Sequence, residues 1–529
     1  MYKRSVKKSV MGGAAYLAAA LGAAKVVSAV FRLALTNVLG AEGLGLYQLA
    51  FPVYSLLVTV TATCMSVAVS RLVAEKAASG GIGREYLLPG IVLAALPSVL
   101  LGAAGGDETL LLFSDKIAAV QGNSAVKTGY FAIIPAVIFV AAGSVFKGWF
   151  QGRFNLVPTA FSGVFSQAVK LVAGLGLAVY LKKYGTAGAV FGALTGVAIS
   201  EAAGCVYLAF RYFKETKCLP ELDRKTCAKD VYKELFKTVV PIMLGSVILP
   251  ISGFIDTFLV VNVLKAQGLT TEIATSEYGL MSGAVSSLVG LPVALAVAFS
   301  VAVVPAVAAS GAERNLDAVI SKCKTSVKLA YLVGVPATAL FFALSGNIIA
   351  LFYPNLSAEE SGLAVRLLTV ACFSATPLTL LQIYNSILQA LGRTLDSVWN
   401  MVFAVALKIM LSVALIYTSG IIGFAVASLA FSAVAAGLGR WRIRKLLGNG
   451  VKLLKNAYEI VLSGVIIGVA AYFVQKAFQR PILSVAFAAV AAGALYVVCV
   501  FAFKVLDEEE MSSLPLFGKR SKKIGEEDL

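Results

Sequence analysis

The sequence has no histidine and little charge, and both absences restrict what the protein can do. None of its 529 residues is histidine, so neither an imidazole proton relay nor a histidine-ligated metal site can form. Only 14% of the residues are charged and 59% are hydrophobic, whereas a soluble domain carries about 25% charged residues. With a mean hydropathy of +0.86, the chain is predicted to lie in a membrane.

Motifs for nucleotide hydrolysis and for metal binding are missing as well. No GxxxxGK[ST] stretch is present, which excludes ATP hydrolysis within this chain. Two of the seven cysteines, Cys218 and Cys227, share a basic loop, but no CxxC pair accompanies them, which argues against a zinc site. We therefore expect no cofactor.

Apolar stretches recur from one end of the chain to the other and predict an all-α membrane protein with fourteen transmembrane helices. Stretches of ~20 apolar residues can span a bilayer as helices, and the alternating pattern of a β-barrel is absent. A helix also satisfies its own backbone hydrogen bonds, as lipid requires. The predicted spans lie near 10–38, 43–72, 86–113, 125–150, 158–181, 186–212, 234–262, 276–309, 317–344, 362–391, 396–418, 420–440, 456–477 and 481–504.

The distribution of basic residues predicts the orientation of these helices. With the N-terminus placed in the cytoplasm, 33 of the 45 Lys and Arg residues fall in inner segments and eight in outer segments. Cytoplasmic loops of membrane proteins carry such an excess, so both termini are expected inside. The net charge of +17 is thereby explained by topology, and a nucleic-acid partner is not expected.

Two parts of the chain resemble each other and indicate an internal repeat. The stretches "FQGRFNLVPTAF" and "LQALGRTLDSVW" each place a Gly-Arg pair after an apolar helix, and a span with one central lysine follows each. The alternative is that helices rich in small residues simply look alike. The matched positions are Gly152-Arg153 with Gly392-Arg393, Lys170 with Lys408, and Gly185 with Gly420.

The repeat predicts two pseudo-symmetric lobes of six helices, followed by two appended helices. An even number of spans separates the copies, so both face the same way, with the substrate site between them near the midplane. The predicted divisions are an N-terminal lobe at 1–213, a cytoplasmic linker at 214–233, a C-terminal lobe at 234–445, the appended helices at 446–505 and a cytoplasmic tail at 506–529.

Six charged residues are assigned to the membrane interior within the predicted spans, although a charge costs ~2.5–3.5 kcal/mol at the centre of a bilayer. Such residues face a water-filled cavity or are paired. Four of them are cations and two are acids, so a cavity that they line would attract an anion, and Lys and Arg bind diphosphates well. The six are Lys25, Arg32, Lys170, Lys408, Glu201 and Asp256.

The individual roles of these residues stay open at the level of sequence. Lys25 and Arg32 are seven residues apart and point the same way on a helix; Lys25 is expected to face the cavity, whereas Arg32 faces it or reaches the outer surface. Lys170 lines the cavity or forms a strut with Glu201.

The second lobe leaves similar alternatives. Lys408 has no acid near it in sequence, which favours the cavity. Asp256 neutralises Lys25 or binds a coupling cation, and Glu201 is the other candidate for ion coupling. Arg71, at the inner end of the second span, anchors the protein at the surface or guards the inner mouth.

Three polar residues of the tenth span, Gln382, Asn385 and Gln389, are further candidates for substrate binding. Asn385 and Gln389 are spaced i, i+4 and share a helix face. Either they contact the substrate in a wet cleft or they form hydrogen bonds between helices.

The stretches "GAEGLGLYQLAFPVYSLLVTVTATCMSVAVSRLVAE" and "FKGWFQGRFNLVPTAFSGVFSQAVKL" resemble the stage V sporulation protein B and polysaccharide-export branch of the multidrug/oligosaccharidyl-lipid/polysaccharide exporter superfamily. The resemblance covers essentially the whole chain. It implies a flippase that moves polyprenyl-diphosphate-linked sugars across the bacterial cytoplasmic membrane by alternating access, surrounded by membrane lipids.

The resemblance also bears on particular residues. Lys25 is similar in position to a basic residue that lines the cavity of lipid II flippases, which belong to the same superfamily. Those proteins carry further cavity arginines, for which Arg71 is the one candidate in the second span. In that branch the last two helices form a groove for the lipid tail, so spans thirteen and fourteen are expected to do so here.

Two rival functions fit parts of the sequence. A multidrug cation-coupled antiporter shares the fold but would require an acidic cavity, whereas the predicted cavity is basic. A membrane-embedded glycosyltransferase would need carboxylates in a sizeable outer loop, and the loop from Gly106 to Asn123 is short. We expect a monomer without enzymatic activity, with enzymes of envelope synthesis as candidate partners.

Overall fold

Helices make up nearly all of the chain in its computed structural model, and the described residues contain no β-strand. The all-α prediction is thereby confirmed. The predicted tail at 506–529 and both linker cysteines, Cys218 and Cys227, lie outside the described residues. The structure describes residues 2–78, 81–103, 114–217, 228–312, 315–448, 453, 457–478, 480–503 and 505.

The helices are numbered in chain order. The first ten are α1 Tyr2–Val58, α2 Cys64–Ala78, α3 Leu87–Ala103, α4 at 114–120, α5 Lys127–Gly152, α6 Leu156–Val169, α7 Leu175–Leu181, α8 Thr186–Thr216, α9 Ala228–Ser246 and α10 Ile248–Ala266. The next ten are α11 Thr271–Gly279, α12 Ser286–Ala312, α13 Leu316–Ala343, α14 Ser345–Phe352, α15 Ala358–Ala371, α16 Ala375–Ala390, α17 Thr394–Ser419, α18 Ile421–Leu447, α19 Ala457–Lys476 and α20 Pro481–Ala502.

Short turns of other helix types join several of these helices. Four are 3₁₀ turns, at Arg84–Tyr86, Ser124–Val126, Lys182–Tyr184 and Cys372–Ser374. Three are π-helical turns, in which each hydrogen bond spans one residue more than in an α-helix: Thr59–Thr63, Lys170–Gly174 and Leu280–Val285.

Twelve helices in the described part of the chain are long and apolar enough to cross a membrane, so the predicted count of fourteen is not confirmed. The first of them, Gly22–Ala77, covers two predicted spans, and the twelve together account for every predicted span except the third. Of that span, α3 is described only as far as Ala103. Within the first of them, Gly40 has a φ of +70°, which glycine adopts without steric cost, so the chain bends between the two predicted spans.

The packing of the helices divides the chain into two compact units. The predicted lobes at 1–213 and 234–445 stay a prediction, because the first unit takes helices from both: α1 packs against α8, α10 and α11. The first unit comprises Met1–Leu288, Asn355–Ala364 and Met401–Ala427, and the second comprises Val289–Pro354, Val365–Asn400 and Ser428–Leu529.

Glycines allow α1 and α11 of the first unit to pack backbone against backbone. A Cβ atom placed on Gly45 would overlap the carbonyl oxygen of Thr275, and one placed on Gly279 would overlap the backbone of Gly45. Beside this contact the Gln48 side chain, at 8% exposure, donates through Nε2 to the Ser282 carbonyl at 2.7 Å. Because that carbonyl lies in a π-helical turn, the bond secures α1 to a point where the regular helix is interrupted.

Buried amides join the loops at one end of the first unit. Gln121 Nε2 donates to the Leu49 carbonyl at 3.0 Å and to Thr257 Oγ1 at 2.8 Å, and Asn123 Nδ2 donates to Thr275 Oγ1 at 2.9 Å. Gln121 is fully buried, where an unmade hydrogen bond would cost about 1–3 kcal/mol. These bonds tie the loop after α4, which the sequence predicts to lie outside, to α1, α10 and α11.

In the second unit, α13 packs against α16 and α19, and α19 packs against α20. Gly464 of α19 meets α13 so closely that an added Cβ atom would overlap the side chain of Val335. Small residues on such a face let two membrane helices approach closely. Both residues belong to the lining of a groove in this unit.

A valine at position 45 is expected to destabilise the protein. Its side chain would overlap the Thr275 carbonyl, so α1 and α11 would have to separate, at a cost of about 1–3 kcal/mol. The midpoint of thermal unfolding in detergent should fall for Gly45→Val. Gly22→Ala is the control, because an added Cβ atom there meets nothing within 4 Å; an equal fall in both variants would contradict the tight packing at Gly45.

Candidate functional site

Lys170 lies at the point where the helix that carries it changes type. It follows α6 directly and is the first residue of the π-helical turn Lys170–Gly174. The residue is only 8% exposed, although it carries a primary amine in the middle of an apolar helix. Single π-helical turns inside α-helices are often found at functional sites.

The Lys170 amine contacts aromatic rings and forms no ion pair among the described residues, although the Glu201 carboxylate lies within electrostatic range of it. Its Nζ atom lies 4.8 Å from the ring centroid of Phe31 and 6.0 Å from that of Phe51. Glu201, the strut partner considered from sequence, is half-buried on α8 and forms no ion pair with Lys170 within the described chain. The ammonium is therefore held by ring faces, which attract a cation electrostatically.

Two further cations belong to the same region of the first unit. Arg32 is half-buried, and its Cζ atom lies 5.7 Å from the Phe51 ring centroid. Lys25, two turns earlier on α1, is exposed, and both residues are within electrostatic range of Lys170. Neither forms an ion pair in the part of the chain that the structure describes. The structure thus brings three of the predicted site residues together, and their charge is not cancelled by direct pairing.

Lys408, the counterpart of Lys170 in the predicted repeat, has a different environment. Its Nζ atom on α17 donates to Asp256 Oδ2 on α10, and the Phe424 ring centroid lies 5.2 Å from the same nitrogen. Lys408 and Asp256 are 9% and 6% exposed. The sequence offered Lys25 or a cation as the partner of Asp256, and the structure places Lys408 there.

The ion pair leaves one carboxylate oxygen unused. Asp256 Oδ1 is buried and has no hydrogen-bond partner among the described residues. Buried polar atoms of this kind are uncommon in proteins and call for a partner. A proton or a cation could bind that oxygen, but the Lys408 ammonium already occupies the other side of the carboxylate.

The remaining predicted site residues do not join these groups. Arg71 forms an exposed ion pair with Glu75, one helical turn away, at 2.9 Å between Nε and Oε1. Such a surface pair contributes little to stability. Arg71 lies midway along α2 with an exposed side chain, and its role as a surface anchor or as a guard of the inner mouth stays a prediction.

Gln382, Asn385 and Gln389 lie on α16, in the second unit. The Asn385 side chain accepts a hydrogen bond from Ser397 Oγ at 2.7 Å, so part of its hydrogen-bonding capacity is used within the protein. Gln382 is half-buried and Gln389 is exposed. Their roles in substrate binding stay a prediction.

The second unit contains a largely apolar groove with a volume of about 1000 Å³. Its walls come from α13 to α16, the 3₁₀ turn Cys372–Ser374 and α19, and include Val335, Phe342, Phe373, Val465 and Phe473. The polar residues at one end, Asn347 and Gln475, are bonded to each other through Nδ2 and Oε1 at 3.2 Å. The groove is therefore suited to a long hydrocarbon chain, and α19, the thirteenth predicted span, supplies one wall.

Sequence reasoning missed the aromatic partners of the cations. Phe31 and Phe51 lie on α1, more than a hundred residues before Lys170, and Phe424 belongs to the helix after Lys408. Nothing in the local sequence distinguishes these rings from other apolar residues of the spans. Only the packing of α1 against α6 and α7 brings the first two rings to the amine.

Comparison with known sequences gives two matches to family models. The model described as "Polysaccharide biosynthesis protein" matches residues 10–310, more than half of the chain. The model described as "MatE" matches residues 241–414.

Individual relatives span nearly the whole chain. Stage V sporulation protein B of Bacillus subtilis (strain 168) is 25% identical over 97% of this chain and 99% of its own length. Lipid II flippase MurJ of the same organism is 22% identical over 95% and 96%, respectively. Among solved structures, the inward closed conformation of lipid II flippase MurJ covers 92% of this chain and 98% of its own, with a TM-score of 0.71 at 15% identity, which shows a shared fold.

The contrast between the two lysines leads to a prediction about stability. Lys408→Met should destabilise the protein by about 3–5 kcal/mol, because it leaves the Asp256 carboxylate buried and unpaired. The double variant Lys408→Met with Asp256→Asn should recover most of this loss, because no charge is then left. Lys170→Met removes no ion pair and should be neutral or stabilising.

Thermal unfolding of the four proteins in the same detergent checks this order. Equal destabilisation by Lys170→Met and Lys408→Met would contradict the difference between their environments. Failure of the double variant to recover would show that the pair is not an isolated unit.

Proposed function

Since the chain belongs to the polysaccharide biosynthesis protein family and is a membrane flippase or exporter, we propose that its substrate is a polyprenyl-diphosphate-linked sugar. The curated relatives include a lipid II flippase and a sporulation protein, which supports a lipid-linked precursor of the bacterial envelope. One curated relative is named a lipid II flippase, and the structural neighbours include a multidrug resistance transporter, so no enzymatic step is proposed.

The Lys170 amine carries this proposal. A cation that is 8% exposed and has aromatic contacts but no carboxylate partner is costly to keep in a membrane, unless an anion binds it at some stage. Arg32 and Lys25 add two more positive charges in the same region. A diphosphate offers enough negative charge and enough oxygen acceptors for three such donors.

The groove of the second unit is the proposed site for the polyprenyl tail. Its lining is mostly aliphatic and aromatic, with six polar side chains among the lining residues. The tail enters from bilayer hydrocarbon and not from water, so the groove would bind it by packing against the chain. The groove thereby supplies contacts for the tail, and the cations supply selectivity for the head group.

Asp256 and Glu201 remain the proposed residues for ion coupling. Because Asp256 is held by Lys408, a coupling proton or cation would bind it fully only when this ion pair opens. Membrane potential is a second source of energy, since one charge that crosses 100 mV gains ~2.3 kcal/mol. The cations of the first unit would respond to that potential if they move during transport.

The arrangement in the membrane is also part of the proposal. The chain would form two six-helix lobes that alternate access to the site, in the bacterial cytoplasmic membrane, with both termini in the cytoplasm. It would act as a monomer. The excess of basic residues in the predicted inner segments supports this orientation.

A multidrug antiporter is the second candidate function, and the MatE match at residues 241–414 is the observation in its favour. Such a transporter would bind organic cations and would need an acidic cavity. The grouping of Lys25, Arg32 and Lys170 opposes this function. Transport of a cationic dye by the purified protein, driven by a sodium or proton gradient, would support the antiporter instead.

Removing the cations of the first unit should slow transport without unfolding the protein. In liposomes loaded with a polyprenyl-diphosphate-linked sugar, we expect Lys170→Met and Lys25→Ala to lower the initial rate at least tenfold, since each removes a charge that binds the head group. Lys116→Ala is the control, because Lys116 is an exposed residue of α4. Unchanged rates in both cavity variants would contradict the proposed site.

Narrowing the groove should affect long lipid tails selectively. Val465 lines the groove and is 57% exposed, so Val465→Trp can be accommodated and would fill part of the volume. We expect the KM for a substrate with a full-length polyprenyl tail to rise about tenfold, while a substrate with a tail of about ten carbons is transported as before. Equal effects on both substrates would show that the groove does not hold the tail.

A further inference from the structure

The aromatic ring of Phe51 contacts two of the cations in the first unit. The Arg32 Cζ atom lies 5.7 Å and the Lys170 Nζ atom 6.0 Å from its centroid. The Lys170 Nζ atom also lies 4.8 Å from the Phe31 ring centroid, whereas Arg32 contacts no second ring among the described residues. Phe51 is therefore the one group in the described structure that contacts both cations through its ring.

The ring is itself held in place by other aromatic residues of α1. The Tyr47 ring stacks against it, with centroids 5.6 Å apart and planes 19° apart, and the Tyr54 ring packs at 5.7 Å. Tyr47 is 3% exposed. The position of Phe51 is therefore defined by packing, and this makes it suitable for fixing the positions of flexible side chains.

An aromatic ring and a carboxylate hold a cation with different consequences. A carboxylate neutralises the cation, as Asp256 does for Lys408, so little electric field remains to attract an anionic ligand. A ring attracts the cation through its quadrupole but has no net charge, so the full positive charge stays available. Two like charges placed together in a medium of low dielectric also repel each other, and a shared ring offsets part of that repulsion.

We propose that Phe51 is a positioning residue, which holds Arg32 and Lys170 side by side with their charge intact so that both can bind the phosphate oxygens of the substrate. The inference rests on the proposed function and refines the site described there. Phe51 itself touches no phosphate; it acts through the two cations.

The test compares variants that keep or remove the aromatic ring. Phe51→Leu preserves an apolar side chain of similar bulk and removes the ring, whereas Phe51→Tyr retains it. The matched control is Phe254→Leu on α10, a half-buried phenylalanine whose described ring contact is with Phe258. Full-length protein in nanodiscs of neutral lipid is titrated with farnesyl diphosphate, and farnesol serves as the uncharged probe.

We expect Phe51→Leu to raise the Kd for farnesyl diphosphate about tenfold, because two cation–π contacts are lost, and to leave farnesol binding unchanged. Phe51→Tyr and Phe254→Leu should bind like the wild type. In a background of Arg32→Gln with Lys170→Met, Phe51→Leu should cause no further loss, since the ring then has no cation to position.

Several outcomes would overturn the inference. A normal Kd for Phe51→Leu, or the same tenfold loss in the background that lacks both cations, would show that the ring does not act through them. Loss of binding in Phe51→Tyr would point to packing alone. If the wild type itself does not bind farnesyl diphosphate more tightly than farnesol, the proposed diphosphate site is wrong and the inference falls with it, so the two failures are distinguishable.

Discussion

The free energy needed to keep a positive charge inside a membrane governs this structure. A central cation must be neutralised, hydrated or otherwise held, and the protein uses two of these solutions for lysines at related places in the predicted repeat. Lys408 is neutralised by Asp256, and Lys170 is held by Phe31 and Phe51. The first solution forms part of the framework, and the second leaves a charge that can attract a ligand. Of the two lysines, Lys170 is therefore the one that we propose as a binding group.

The two units differ in the chemistry that their candidate sites offer. In the first unit, Lys170 and Arg32 contact the ring of Phe51 and form no ion pair among the described residues, so an anion would be attracted there. In the second unit, the groove presents apolar side chains such as Phe342 and Val465, which suit a hydrocarbon chain. Under the proposed function, the head group would use the first property and the lipid tail the second.

Much of the fold could be predicted from sequence, because hydrophobic length and charge are local properties. The helical class, most of the spans and the cations within them could all be predicted in this way. The count of fourteen spans is not confirmed, because the third predicted span is described only as far as Ala103, whereas the first two are joined across a kink at Gly40. The partners of the cations could not be predicted, because Asp256 and Lys408 are 152 residues apart, and Phe51 gives no local sign that it faces Lys170. Pairing across such separations is decided by helix packing.

The π-helical turn at Lys170–Gly174 has a consequence for how the gene can change. Such a turn contains one residue more than a regular α-helix needs, so deleting a residue there would restore ordinary α-helical geometry. Because the turn absorbs the extra residue, the side chains beyond it would keep their faces on the helix, and α7 would still meet α8. Deleting a residue from the regular part of α7 would instead rotate every later side chain by about 100° around the helix axis. A one-residue deletion is therefore expected to disturb the packing of this helix less within the turn than outside it.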